Sequence, residues 1–344
     1  MRFSYASLLP ITAVLAYAAC SSSSGDGTAD GGATSTSSSG VTSSSGDGGG
    51  STSSGDGGSS GTVNPIPTTM GTVALDLTAE SANLFLDGAQ WMNNALYYSI
   101  PDGNQLRKTT DTVNAVSTTT GGIVGLAYKG TVAYGAQAPA AAGGKVVSFD
   151  PTAAAPVFAN LAPSAGITPD SPNDIAVRPV SGELWVTDPG YQKGTGTENR
   201  IYRIAGTTWT VAATYGTEDP KPNGIAFTKD GNTLYVSFTA LKRISKFTVN
   251  AAGALDSPMG TAFATYTTED SLDGLAVDND GNVYAATSTG VDVYKSGGTK
   301  WGTIAIPKAV SMTFGGADGK TLYITTGAAK IYTVPLAVAG PLSN

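Results

Sequence analysis

Histidine is absent from this 344-residue chain. That excludes a Ser-His-Asp triad, a Cys-His pair and any imidazole metal ligand. Cysteine occurs once, as Cys20. The folded part therefore has no internal disulfide and no zinc site built on thiolates. Charge is scarce: Asp, Glu, Lys and Arg make up 13% of the residues, with a net charge of −7. An acidic chain without clustered Lys or Arg has no electrostatic footprint for nucleic acid. Beyond the first twenty residues no apolar run is long enough to span a bilayer. Stretches of 3.6-residue hydrophobic period are missing too, which argues against a helical or α/β architecture. Any metal in such a chain must be held by oxygen.

The N-terminus reads as an address. Met1-Arg2 supplies a positive charge, residues 8–19 (LLPITAVLAYAA) are apolar with small residues at the end, and Cys20 follows at once. This is a secretory leader pattern over residues 1–20. The cysteine directly after Ala18-Ala19 resembles a bacterial lipoprotein cleavage site, with Cys20 as the lipidated residue, although Tyr17 stands where leucine is usual. The alternative is ordinary cleavage after Ala16-Tyr17-Ala18. Residues 21–66 are dominated by Ser, Gly, Thr and Asp, have little to bury, and are expected to form a disordered tether. Gly57-Gly58-Ser59-Ser60-Gly61 matches the G-x-S-x-G esterase pattern there, but without a strand, a helix or a histidine the match is spurious.

From about residue 67 the chain turns rich in Val, Tyr, Thr, Ile, Ala and Gly, with turn clusters at short intervals. Four segments are alike: GIAFTKDGNTLYVSF from Gly224, GLAVDNDGNVYAAT from Gly274, DIAVRPVSGELWVTD from Asp174 and SMTFGGADGKTLYITT from Ser311. Each reads as a strand, an Asp-Gly or Ser-Gly turn, and a second strand centred on an aromatic. Weaker copies start at Ala89 and Gly125, and the six starts lie 36 to 50 residues apart. One hairpin per repeat of about 40 to 50 residues is the mark of propeller blades. Residues 67–344 are therefore expected to be all-β, a six-bladed β-propeller with four-stranded antiparallel blades. Asp278-Asn279-Asp280-Gly281 has the look of a calcium loop, but it lacks the twelfth-position Glu and lies between strands, so it is a hairpin turn.

The position just before each repeat falls at or near Asp87, Val124, Asn173, Asn223, Asp273 and Val310. In a propeller the first strand of each blade lines the central channel, so residues of one phase converge at one mouth. Two carboxylates and two amide oxygens would then surround a common point. Facing carboxylates repel unless a positive charge lies between them, and an all-oxygen donor set suits a hard divalent cation. The other reading makes these four residues local caps of the strands.

The surrounding motifs resemble a known family. Ser171-Pro172-Asn173-Asp174 followed by TDPGY (Thr187 to Tyr191) resembles the SPND…TDPPY of bacterial gluconolactonases. Pro222-Asn223-Gly224-Ile225-Ala226-Phe227 is similar to their PNGLAF, and Asp273-Gly274-Leu275-Ala276-Val277-Asp278 to their DGLAVD. Leu86-Asp87-Gly88-Ala89-Gln90-Trp91 resembles EGPVW, and Phe314-Gly315-Gly316-Ala317-Asp318-Gly319 resembles the closing FGG-DG. The order and spacing agree with the gluconolactonase, regucalcin (senescence marker protein) and luciferin-regenerating enzyme family. The resemblance implies one divalent cation on the axis, held by Asp87, Asn223 and Asp273. Asn173 would lie beside the metal and place the substrate. Asp87 stands where the family has Glu, and Ala136-Gln137 occupy the place of a Glu-His pair that many gluconolactonases carry.

The expectation is thus a metal-dependent hydrolase of a lactone or related ester, with Ca²⁺ as the first choice of cation and Mg²⁺, Mn²⁺ or Zn²⁺ as alternatives. Asp273 is the candidate for activating water, and Asp174 and Asp188 could line the same mouth. The protein is expected to be a monomer at the cell envelope, touching membrane only through its lipid anchor. Two competing readings stay open: a tethered binding module with a structural cation, and a metal-free propeller like strictosidine synthase.

Overall fold

The computed structural model describes residues 63–67, 71–109, 116–117, 122–138, 143–191, 198–216, 220–268 and 271–342. The expected leader with its Cys20, and nearly all of the tether, lie outside the described residues. Six four-stranded antiparallel sheets follow one another along the chain. The first strands of the blades are Asp87–Met92, Gly122–Lys129, Ile175–Val177, Pro222–Phe227, Leu275–Val277 and Ala309–Gly315. Five blades are built from consecutive strands. The sixth borrows its outermost strand, Thr72–Asp76, from the start of the domain, paired antiparallel with Lys330–Pro335. Hydrogen bonds between the two ends of the domain thus close the circle.

The hairpins form where the turn chemistry said they would. Gly231, Gly281 and Gly319 have φ of +66°, +80° and +68°, a conformation that glycine adopts without steric cost. The carboxylate of Asp278 accepts from the N–H of Asp280 and Asn282, the amide of Asn282 and the hydroxyl of Tyr284. Its oxygens are spent on the turn, so this is no calcium loop. The aromatics at the centres of the second strands, Tyr98, Trp185, Tyr235 and Tyr284, are buried. Several pack across blade boundaries: Trp185 against Phe227 (5.8 Å) and Tyr284 against Phe314 (5.3 Å) meet edge to face, and Trp91 stacks on Tyr323 at 5.1 Å. Such pairs add about 1 kcal/mol each beyond the area they bury.

The first strands meet most tightly in a ring around the axis. In four blades their pairing with the second strand slips register at the ring residue: between Asp87 and Gln90, Ile123 and Gly125, Pro222 and Ile225, and Ala309 and Met312. In the other two the regular strand starts just beyond it, and Asn173 N–H to Thr187 O (2.8 Å) and Asp273 N–H to Ala286 O (3.1 Å) continue the ladder. Such bulges re-aim side chains.

The residue after each ring position touches the next blade. A Cβ on Gly224 would lie 2.3 Å from the carbonyl oxygen of Asp273, and one on Gly88 2.7 Å from that of Val124. Gly125 and Gly274 approach Asn173 O and Val310 O in the same way. The two places without glycine use a side-chain acceptor instead. Asp174 Oδ2 accepts from Ile225 N–H (3.0 Å), and Ser311 Oγ accepts from Ala89 N–H (3.2 Å).

Gly224→Ala is expected to destabilise the domain by about 3 kcal/mol, since backbone cannot yield as a side-chain tip can. Gly297, whose Cβ would meet nothing within 4 Å, is the control and should tolerate alanine to within about 0.5 kcal/mol. Urea unfolding of the two variants measures the difference, and equal midpoints would refute the close-packed ring.

Candidate functional site

The ring sets the geometry of the site. Asp87 is the first residue of the first strand of blade one and is buried, with Oδ1 accepting from the N–H of Gly88 at 2.7 Å. Asp273 sits half-buried just ahead of the first strand of blade five. Asn223 is buried in the bulged strand of blade four. Asn173 holds the matching place in blade three, half-buried.

Electrostatics ties three carboxylates into one group. Burial pushes the Asp87 carboxyl up to about 8; the charge of Asp174 adds to this and the Gly88 N–H opposes it. Burial raises Asp174 to about 7 against the N–H groups of Ile225 and Ile175. Asp273 is held well above the usual carboxylate range, first by burial, then by the charges of Asp87 and Asp174, with the Asn223 amide opposing. No Lys or Arg is among the groups that shift these acids. The cluster is therefore an uncompensated concentration of acid.

The amide donor completes the set. Asn223 Nδ2 donates to Thr239 Oγ1 at 3.1 Å and approaches the Tyr191 hydroxyl at 3.5 Å. Its Oδ1 is buried without a hydrogen-bond partner. A buried unpaired amide oxygen beside coupled carboxylates fits a cation ligand. Among the described residues no three Asp, Glu, Cys or His side chains form a metal cage by themselves. A cation here would need the mixed carboxylate and amide set.

Hydroxyls on the second strands brace the ring from behind. Thr187 Oγ1 donates to Asn223 O (2.6 Å) and Ser237 Oγ to Asp273 O (2.7 Å). At the rim, Lys221 Nζ donates to Pro189 O (2.9 Å) and lies 5.7 Å from the centre of the half-exposed Tyr191 ring. On the other side of the ring the first strands enclose a channel of about 560 Å³, walled by residues such as Leu126, Ile175, Phe227 and Phe314, with Asp174 in its lining.

Of the sequence-derived positions, Asp87, Asn223 and Asp273 act on one another directly or through Asp174. Asp174, a possible lining residue by sequence, is the third buried carboxylate, and its charge raises both Asp87 and Asp273. Asp188 takes the structural role: its carboxylate accepts from the N–H of Asp170, Ser171 and Gly190 and so shapes the segment leading to Asn173. Sequence reasoning missed Thr239, Thr187 and Ser237. Their signal is a hydroxyl in or just after an otherwise apolar second strand.

Comparison with known proteins identifies the family. Residues 86–328 match the model of the SMP-30/Gluconolactonase/LRE-like region. A pentonolactonase of Haloferax volcanii is 30% identical over 166 residues, which is 46% of this chain and 54% of that protein. The chain thus spans about half the length of this curated relative. Among solved structures, a Xanthomonas campestris gluconolactonase superposes with a TM-score of 0.62 at 24% identity, over 79% of this chain and 96% of the other. A calcium-binding regucalcin of Agrobacterium tumefaciens superposes with a TM-score of 0.64 at 20% identity, over 79% and 96%. With the propeller, the ring and the order of its motifs in place, the chain belongs to the SMP-30/gluconolactonase/LRE-like family.

Proposed function

We propose that this protein is a divalent-metal-dependent hydrolase of a lactone or related ester. The observation that carries the proposal is that Asn223 Oδ1 is buried and unpartnered while its side chain and the charge of Asp87 both act on the buried carboxyl of Asp273. Family membership and the pentonolactonase relative point to the same substrate class.

Asp87, Asn223 and Asp273 would hold the cation, with Asn173 beside it. The oxygen-only donor set favours Ca²⁺, ahead of Mg²⁺, Mn²⁺ or Zn²⁺. When bound, the cation supplies Lewis-acid polarisation of the substrate carbonyl. The protein's own groups do the rest. The Asn173 amide donates a hydrogen bond that orients the lactone. A carboxylate oxygen of Asp273 takes a proton from water as the water oxygen bonds to the carbonyl carbon. When the ring C–O bond breaks, that proton passes to the departing oxygen, giving the hydroxy acid. The ring is rigid and pre-formed, so these groups are in place before substrate arrives. Cys20 and the Ser/Gly tether suit the same enzyme held at the cell envelope by a lipid anchor.

Purified protein is expected to open members of a panel of γ- and δ-lactones, to lose the activity on chelation and to regain it with added cation. Asp273→Asn should lower kcat/KM by at least about 100-fold with an unchanged circular dichroism spectrum. Cation binding with no turnover of any lactone would leave a binding module with a structural ion, and the enzyme reading would fall.

Anchoring has its own measurement. Expressed in a bacterial host, the full chain should partition into the detergent phase of Triton X-114, and Cys20→Ser should move it to the aqueous phase. Equal partitioning of the two would exclude lipidation at Cys20.

A further inference from the structure

Thr239 lies directly after the second strand of blade four (Thr233–Phe238), and its backbone N–H donates to Lys221 O at 3.1 Å. Its hydroxyl has one proton to give. Leu272 O, 2.7 Å away, can only accept, so the proton goes there. The contact with Asn223 at 3.1 Å must then run the other way, from an amide N–H into the hydroxyl oxygen. With the amide reversed, two acceptor oxygens would face each other with no proton between them. A hydroxyl committed to a backbone carbonyl therefore settles the orientation of the Asn223 amide.

Two consequences follow. The amide nitrogen of Asn223 is tied up, and Oδ1 is the end left with lone pairs to offer. The acceptor Leu272 directly precedes Asp273, so the same hydroxyl links the strand carrying Asn223 to the segment carrying Asp273.

We propose that Thr239 is a positioning residue for the cation: its hydroxyl makes Asn223 present oxygen rather than NH₂, and ties that oxygen to the neighbouring Asp273 segment. The inference rests on the cation reading above and adds the residue that sets the ligand's orientation. Valine keeps the shape of threonine but cannot donate to Leu272 or accept from Asn223, whereas serine can do both.

Calorimetric titration of the purified protein with CaCl₂ tests it. Thr239→Val should bind Ca²⁺ about 10- to 100-fold more weakly than the wild type, and Thr239→Ser should stay within about threefold of it. Wild-type affinity in the valine variant, or failure of serine to restore it, overturns the inference. A second readout separates this result from failure of the cation reading itself. In ¹H–¹⁵N spectra of the metal-free protein, the side-chain NH₂ signals of Asn223, assigned by their loss in Asn223→Asp, should be protected from exchange in the wild type and in Thr239→Ser. They should lose that protection in Thr239→Val. If the wild type binds no cation, the function proposed above fails while the NH₂ signals still decide the orientation. Signals alike in all three proteins overturn the role of Thr239.

Discussion

The close approach of the six innermost strands around the axis is the constraint on which the rest of this structure depends. Four glycines let one blade's backbone touch the carbonyl of the next. Asp174 and Ser311 achieve the same closeness by accepting a backbone N–H from the neighbouring blade. In four of the six blades the strand also departs from regular pairing at that level. The bulges beside Asp87, Val124, Asn223 and Val310 are that departure. A bulge also turns the side chain out of the alternation of the sheet. In those four blades the local event that accompanies the close packing also re-aims the ring side chain.

That delivery has an electrostatic cost. Asp87, Asp174 and Asp273 are each raised by burial, and each of the two ring acids by the charge of a neighbour, with no basic side chain to compensate. Core packing alone would be better served by Val, as at Val124 and Val310. Asp174 is accounted for by its two N–H partners, Ile175 and Ile225. Asp87 has the N–H of Gly88, and Asn223 Oδ1 has no partner. Unsatisfied polar atoms at the best-packed level of a fold fit a group that arrives from outside.

Much of this was legible in the sequence, because the repeat displays it. Hairpin turns, strand-centre aromatics and the phase of the ring residue all recur at comparable offsets, so comparing six copies exposes the position that changes character. What one copy cannot display is contact between copies. Thr239 binds Asn223, 16 residues back, and Leu272, 33 residues on. Thr187 reaches Asn223 across 36 residues. No spacing rule links such pairs. Asp174 was under-weighted for a related reason: strand alternation sends neighbours to opposite faces, and the irregular start of blade three keeps both Asn173 and Asp174 near the axis.

The order of the ring residues has a consequence of its own. Asn173, Asn223 and Asp273 come from three consecutive blades, whereas Asp87 stands between blades whose ring residues are Val310 and Val124. In a six-membered ring Asp87 is then opposite Asn223. The ring residues on both sides of it are valines, and the neighbouring hydroxyl of Ser311 is engaged with the N–H of Ala89. This is why burial dominates its environment and the N–H of its own successor is its main relief. On the opposite side, Thr187 and Thr239 hold the backbone and the amide of Asn223, and Ser237 holds the backbone of Asp273. A cation would therefore meet a rigid side and a lone acid across from it. Asp is one methylene shorter than the Glu that the sequence resemblance implies there, so on the cation reading the lone acid would have to reach across or be met by the ion. On the cation reading proposed above, the braced side, with Asn223 oriented by Thr239, would set where the ion sits.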